Sequence, residues 1–224
     1  MFRHSTLAVA LVFVTFATLQ ARDPVGTWRW DNEDLQKQGV VQNVLVLTRD
    51  RGILTGVCSG TAGEIPVSAV SFEGDKLTWS IDVEMRGRPV TTVFSGKLVG
   101  EELLGQVIVG TLGEYSWRAG REQEWRFHVK IPDGDEAYVI SPMFHFSKLK
   151  GGVVGHVNND GDVFPIKNIV FRDGGAFSFD VDVPVISLKS KFRGQIQGDT
   201  AKGIVEYDYG GDTGETDFTA ERVP

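Results

Sequence analysis

The sequence predicts an all-β protein made of two tandem eight-stranded antiparallel up-and-down β-barrels. After about twenty residues, helical periodicity is absent, and short runs rich in Val, Ile, Thr, Phe and Trp alternate with clusters of Gly, Asp, Asn and Pro. This pattern occurs twice, because Phe-Ser-Gly-Lys-Leu-Val-Gly at 94–100 returns as Phe-Arg-Gly-Gln-Ile-Gln-Gly at 192–198. An internal repeat at a spacing of about 100 residues predicts the same fold twice.

Each copy contains eight candidate strands separated by short turns, which is the number that an up-and-down barrel uses. Closure into a barrel removes the exposed edges that an open meander would leave. The fifth strand alternates apolar and polar residues, so that one face packs in the core and the other faces solvent. Its apolar residues are Leu77, Trp79, Ile81 and Val83, and those of the second copy are Phe177, Phe179, Val181 and Val183.

The first 21 residues are predicted to be a secretory signal peptide. Arg3 precedes an apolar run over 7–16, and Ala21 is a small residue at the expected cleavage point. The run is too short for a membrane anchor, so the mature protein is expected to be secreted or periplasmic, without a stable membrane anchor. The predicted domains are therefore a signal peptide at 1–21, a first barrel at 22–122 and a second barrel at 123–224.

The charge balance excludes nucleic acid as an expected partner. The chain has a formal net charge of -7, and removing Arg3 with the leader gives -8. An acidic surface repels the phosphate backbone and anionic lipids. The single cysteine, Cys58, corresponds to Val157 of the second copy, which favours a small buried hydrophobe over a reactive thiol.

Three of the four histidines, at positions 128, 145 and 156, lie in the second copy. If Lys150 and Gly151 form a two-residue turn, His145 stands directly opposite His156 on one face of the hairpin. The first copy has Val46 and Val57 at these positions. The pair is a candidate start of a metal site at His145 and His156, but two imidazoles without a third ligand make a poor zinc site.

Six large aromatic rings are expected to point into the two barrels, and two interpretations of them remain open. They either fill the interior, since an eight-stranded barrel is only just wide enough for side chains, or they line a ligand pocket. They are Trp30, Trp79 and Trp117 in the first copy and Phe127, Phe179 and Phe218 in the second.

The Gly26-Thr27-Trp28 opening, with Arg121 closing the eighth strand, resembles the calycin superfamily, which includes lipocalins and avidins. The resemblance implies that Trp28 plugs one end of the barrel beneath the guanidinium of Arg121, with Trp125 and Arg222 as the second pair. The whole repeat over 25–223 also resembles a family of exported bacterial β-domain repeat proteins with no established role. These motifs are turn glycines and core aromatics, which specify fold rather than function.

No catalytic sequence motif is present, and no cofactor is predicted. The sequence therefore favours an exported non-enzymatic binding or interaction module, whose ligand is a small apolar molecule, a glycan or a protein. The alternative is a secreted hydrolase or metal-assisted enzyme that uses His145 and His156.

Overall fold

A computed structural model of the chain describes residues 23–31, 42–60, 63–85, 87–133, 136–149, 151–159 and 162–223. The described residues form an all-β protein closed into an antiparallel barrel arrangement, as the strand pattern predicts. The predicted signal peptide at 1–21 lies outside them. Within these ranges, no helix has the length and apolar character needed to cross a membrane.

The strands are numbered in chain order and joined mostly by short turns. Short 3₁₀ turns at Asp173–Gly175 and Pro184–Ile186 flank β14. The strands are β1 (Gly26–Asp31), β2 (Gln42–Asp50), β3 (Ile53–Gly60), β4 (Gly63–Pro66), β5 (Ser68–Glu73), β6 (Lys76–Met85), β7 (Arg88–Val99), β8 (Glu102–Val109), β9 (Gly113–Asp133), β10 (Glu136–Ile140), β11 (Met143–Leu149), β12 (Gly152–Asn159), β13 (Asp162–Phe171), β14 (Ala176–Val183), β15 (Leu188–Gln197), β16 (Thr200–Tyr209) and β17 (Asp212–Arg222).

The first-half strands pair in sequence order and return to their start. Strands β4 and β5 are separated at Val67, whose amide donates to the carbonyl of Gly56. The ring closes where β9 pairs with β1, with Trp28 opposite Arg121. This closure explains how the sheet avoids leaving an unpaired edge.

Strand β9 runs without a break from the first half into the second, so the boundary placed between 122 and 123 falls inside a strand. Its second part pairs with β10 and β11 on one side and with β17 on the other. The strands from β11 to β17 pair consecutively. Arg222 of β17 stands opposite Trp125, as Arg121 stands opposite Trp28.

Two buried clusters fill the interior, one from each half. The alternation predicted for the fifth strand is confirmed, since Leu77 and Trp79 of β6 are buried, as are the equivalent Phe177 and Phe179 of β14. Trp28 is fully buried, its indole N–H donates to the carbonyl of Pro24, and the Arg121 guanidinium lies 4.5 Å from its ring centroid. A guanidinium at this distance over an aromatic ring is attracted electrostatically to the ring face.

The six aromatic rings predicted to point inward are all buried. In the first half, Trp79 stacks on Phe94 with centroids 4.7 Å apart, and Trp117 meets both edge-on. In the second half, Phe127 contacts Phe179 at 5.9 Å. Close contact at these offset and edge-on geometries is how aromatic rings fill a core.

One carboxylate lies beside an arginine from the closing strand of each half. Glu101, in the turn before β8, lies 2.8 Å from Nε of Arg121 and 4.0 Å from Arg222. The guanidinium of Arg222 is also 3.6 Å from Asp199. The two arginines opposite the tryptophan plugs therefore lie beside the same junction between the halves.

Candidate functional site

The predicted facing of His145 and His156 is confirmed by the register of the β11–β12 hairpin. Leu149 pairs with Gly152, which sets His145 directly opposite His156. The two imidazole rings stack with centroids 4.5 Å apart and planes 2° from parallel. In the first half, Val46 pairs with Val57 at the corresponding place in the β2–β3 hairpin.

A third group, the carboxylate of Glu122 on β9, joins the histidine pair. Strand β9 pairs with β11 so that Glu122 is opposite Ser147, two residues from His145 and on the same face. Oε1 of Glu122 lies 3.3 Å from Nδ1 of His145, while Glu124 is farther away at 3.9 Å. Candidate ligand atoms of Glu122, His145 and His156 all lie within 4.8 Å of one another.

The first half contributes Arg29 from β1. Trp28 and Trp30 on either side of Arg29 are buried, so alternation turns the arginine outward, toward the second half. Its Nε donates to Oε2 of Glu122. The side chain of Glu122 is only 6% exposed, so this ion pair is shielded from water on the carboxylate side. The cluster therefore draws on both halves of the chain.

The cluster forms the floor of a cleft of about 400 Å³. Arg29, Glu122, His145, Ser147 and His156 provide polar groups, and the apolar remainder of the wall comes from Val154, Val163 and Pro165. A concave surface with a few convergent polar groups and an apolar rim is the usual form of a small-molecule site.

Burial and neighbouring charge set the protonation of the cluster. Burial lowers the pKa of His156, and the positive charge of Arg29 lowers it further, to about 4. Burial alone raises the pKa of Glu122, but its contacts with His145 and Arg29 lower it to about 2. At neutral pH, His156 is therefore a neutral imidazole and Glu122 a carboxylate.

Two buried polar atoms of the cleft have no hydrogen bond of acceptable geometry within the described part of the chain. They are Nδ1 of His145 and the hydroxyl of Ser147. Buried polar groups in proteins are usually hydrogen-bonded to the chain, to water or to a ligand. Both atoms belong to residues that line the cleft.

The six rings proposed as a ligand-binding surface lie elsewhere, inside the two cores. A cavity of about 40 Å³ touches Phe127 and Phe179, and its wall includes Trp125, Phe146 and Phe171. That volume accommodates about one water molecule, far less than a drug-sized ligand. A ligand-binding role for the rings stays a prediction.

The remaining residues singled out by the sequence lie away from the cluster. Nδ1 of His128 is 2.9 Å from the hydroxyl of Ser141, and its other nitrogen is 3.8 Å from Glu221. Cys58 is buried opposite Leu45, and burial raises the pKa of its thiol to about 11. The expectation that Cys58 is a buried hydrophobe is confirmed.

Glu122 and Arg29 were missed by the sequence reasoning for different reasons. Glu122 was detectable, because pairing β9 with β11 places it on the face of His145. Arg29 gives no such signal, because its position depends on how β1 of the first half lies against β11 of the second.

No family model matches the chain, and no curated protein matches it. The solved structures that resemble it include the crystal structure of the Myxococcus xanthus hemagglutinin in complex with a3,a6-mannopentaose. That similarity covers 93% of this chain and 97% of the hemagglutinin chain, with 14% sequence identity and a TM-score of 0.26. A TM-score this low carries no argument about function.

Proposed function

We propose that this protein is an exported, non-enzymatic binding module of two tandem eight-stranded barrels, with its ligand site in the cleft at their junction. One observation carries the proposal. The cleft of about 400 Å³ gathers Arg29 from the first half with Glu122, His145 and His156 around the start of the second. Export rests on the leader pattern at 1–21.

The tandem-barrel architecture is supported by the strand pairing and by the cores. Counting the interrupted pairs β4–β5 and β10–β11 as one strand each, eight strands run from β1 to β9 and eight from β9 to β17. The described residues also divide into two buried clusters that share no residue. Each half thus buries its own apolar face, as a duplicated domain must.

The cleft is a better ligand site than either barrel interior. The interior rings contact one another, and Trp79, Phe127 and Phe179 are each at most 2% exposed. The cleft, in contrast, offers a cation, a carboxylate and two imidazoles beside an apolar rim. These groups suit a small polar ligand that the rim holds in place.

A non-enzymatic role is supported by the absence of an activated nucleophile at the described cleft. Ser147 provides a hydroxyl there, but that hydroxyl has no hydrogen bond to either histidine. A serine nucleophile is commonly activated by such a bond to a general base.

The test is native mass spectrometry of the protein purified without a tag from its own host. Val163 is 59% exposed at the cleft, so Val163→Trp fills the opening without disturbing the core. Val139→Trp is the matched control, because Val139 is 56% exposed on β10 and does not line the cleft.

The proposal predicts a bound mass that the wild type and Val139→Trp retain and that Val163→Trp loses. A retained organic mass that survives Val163→Trp, or no retained organic mass in any variant, would contradict it. A glycan or a co-purified protein that Val163→Trp still binds would place recognition on another surface.

A further inference from the structure

We propose that Glu122, His145 and His156 bind a divalent transition-metal ion, with Zn²⁺ as the reference ion, at the floor of the junction cleft. The inference rests on the proposed function and names a ligand class for the same site. Two imidazoles and one carboxylate form a donor set that zinc uses when a fourth position stays open to water or substrate. No other group of three such residues in the described chain is close enough.

The three ligand atoms are close enough for one ion once the two imidazoles turn out of their stack, because a metal lies in the plane of each imidazole that binds it. Bonds of about 2.0–2.2 Å to nitrogen and oxygen place tetrahedral ligand atoms about 3.4 Å apart. The ligand atoms here lie within 4.8 Å of one another, and the 3.3 Å separation between Nδ1 of His145 and Oε1 of Glu122 already meets this spacing. His156 supplies the third ligand from the facing strand, where it pairs with His145.

Nδ1 of His145 is placed to act as a ligand atom. It is buried without a hydrogen bond of acceptable geometry among the described residues, and its near neighbour at 3.3 Å is Oε1 of Glu122, an acceptor, so no donor there competes for a lone pair. A bound ion would satisfy this nitrogen.

Arg29 contributes by holding the carboxylate. Its Nε donates to Oε2 of Glu122, and Oε1, the other oxygen, is the one that faces His145. Groups of this kind fix the orientation of a ligand without touching the metal. Arg29 also offsets the carboxylate charge in the metal-free protein, and it lines the cleft.

The donor types select the class of metal. Imidazole ligands suit Zn²⁺, Cu²⁺, Ni²⁺ and Fe²⁺, whereas Ca²⁺ and Mg²⁺ need shells of oxygen atoms. The set contains one carboxylate, that of Glu122. The nearby Glu124 is not a member of it, and its side chain is 45% exposed. We therefore expect Zn²⁺ and Co²⁺ to bind, and Ca²⁺ and Mg²⁺ not to bind.

The test is isothermal titration of tag-free, chelator-treated full chain with ZnCl₂ at pH 7.5, followed by the visible absorption spectrum with Co²⁺. The double variant His145→Val with His156→Val gives the second hairpin the pair found at Val46 and Val57. Glu122→Gln keeps the shape of the third ligand. His128→Ala is the matched control, because His128 lies on β9 outside the cluster.

We expect one Zn²⁺ per chain in the wild type and in His128→Ala. With Co²⁺, both should show intense visible absorption bands, which indicate that the ion has a low coordination number. The double variant and Glu122→Gln should each weaken binding by more than about 100-fold, beyond the range of residues that only support a ligand. Equal affinity in wild type and double variant, equal loss in His128→Ala, or no binding to the wild type would overturn the inference.

The two proposals fail separately. If Zn²⁺ does not bind but the cleft retains an organic mass that Val163→Trp loses, the metal inference fails and the binding module stands. If Zn²⁺ binds with the same affinity to Val163→Trp and to the double histidine variant, the ion is bound elsewhere and the inference also fails. Circular dichroism of each variant confirms that it is folded.

Discussion

His145 stacks on His156 with ring centroids 4.5 Å apart, at the hairpin position where the first half pairs Val46 with Val57. Two titratable rings thus replace two apolar side chains beside Arg29 and Glu122. The replacement leaves the strand register unchanged. It makes the chemistry of the second half differ from that of the first.

Acidification should destabilise the metal-free protein through His156. Burial and Arg29 lower its pKa from 6.5 to about 4, with Glu122 opposing and His145 adding to the shift. The neutral imidazole therefore contributes stability fully above about pH 6.5, and that contribution is lost as pH falls toward 4. We expect the free energy of unfolding to fall by about 1–2 kcal/mol between pH 8 and pH 5, after allowance for solvent screening.

Urea unfolding of the chelator-treated protein at both pH values measures this change. The double variant His145→Val with His156→Val is the control and should lose much less stability over the same interval. Glu122 contributes little to the change, because its pKa is lowered from 4.5 to about 2 and it therefore affects stability mainly below pH 4.5. An identical pH response in the wild type and the variant would contradict the prediction.

Replacing the buried plug should cost far more than replacing an exposed ring. Trp28 is fully buried beneath Arg121, so Trp28→Ala should lower the free energy of unfolding by about 3–5 kcal/mol through lost burial and a residual cavity. Tyr115→Ala is the control, since Tyr115 is 51% exposed, and should change stability by less than about 1 kcal/mol. An equal loss in the free energy of unfolding for the two variants, measured by denaturant unfolding, would contradict a core role for Trp28.

Cys58 should react slowly with a thiol reagent in the folded protein. Burial raises the pKa of its thiol to about 11, so about one molecule in a thousand carries the reactive thiolate at pH 8. The control is Val57→Cys in a Cys58→Val background, because Val57 is 39% exposed on the same strand. Reaction with Ellman's reagent should be fast for the control and slow for the wild type until urea is added, and rapid labelling of folded wild type would refute this.

Two equivalent glycines should not tolerate even a methyl group. A Cβ at Gly105 would overlap the carbonyl oxygen of Ser95, and one at Gly203 would overlap that of Arg193. Gly105→Ala should therefore destabilise by about 1–3 kcal/mol or more, since backbone must shift to accept it. Gly151→Ala meets nothing within 4 Å and serves as the control in thermal unfolding. Equal melting temperatures for both variants would contradict the packing.

The alternation of residues and the turn chemistry were enough to predict the strands and the histidine register. A two-residue turn fixes which residues face each other, so the turn at Arg51 and Gly52 pairs Val46 with Val57. A two-residue turn at Pro184 and Val185 would set Asp180 opposite Lys189, but the connection is longer and pairs Asp182 with Lys189 and Asp180 with Lys191. A 3₁₀ turn adds residues that the pattern does not show.

The site itself needed the relative placement of the two halves. Periodicity describes one strand at a time, and Arg29 reaches Glu122 only because β9 continues from one half into the other. The alternation of residues along β1 places Arg29 on an outward face, and Glu122 lies in the polar run at 121–124. Their ion pair joins residues 93 positions apart, a separation that no local motif spans.

The metal site can be located by anomalous X-ray diffraction at the zinc absorption edge, from crystals of the chelator-treated chain soaked in ZnCl₂. We expect one strong peak in the junction cleft, bonded to His145, His156 and Oε1 of Glu122, with Arg29 still on Oε2. That peak should be absent from crystals of the double variant His145→Val with His156→Val. A cleft without a peak, or a peak bonded to other residues only, would show that Glu122, His145 and His156 do not bind zinc.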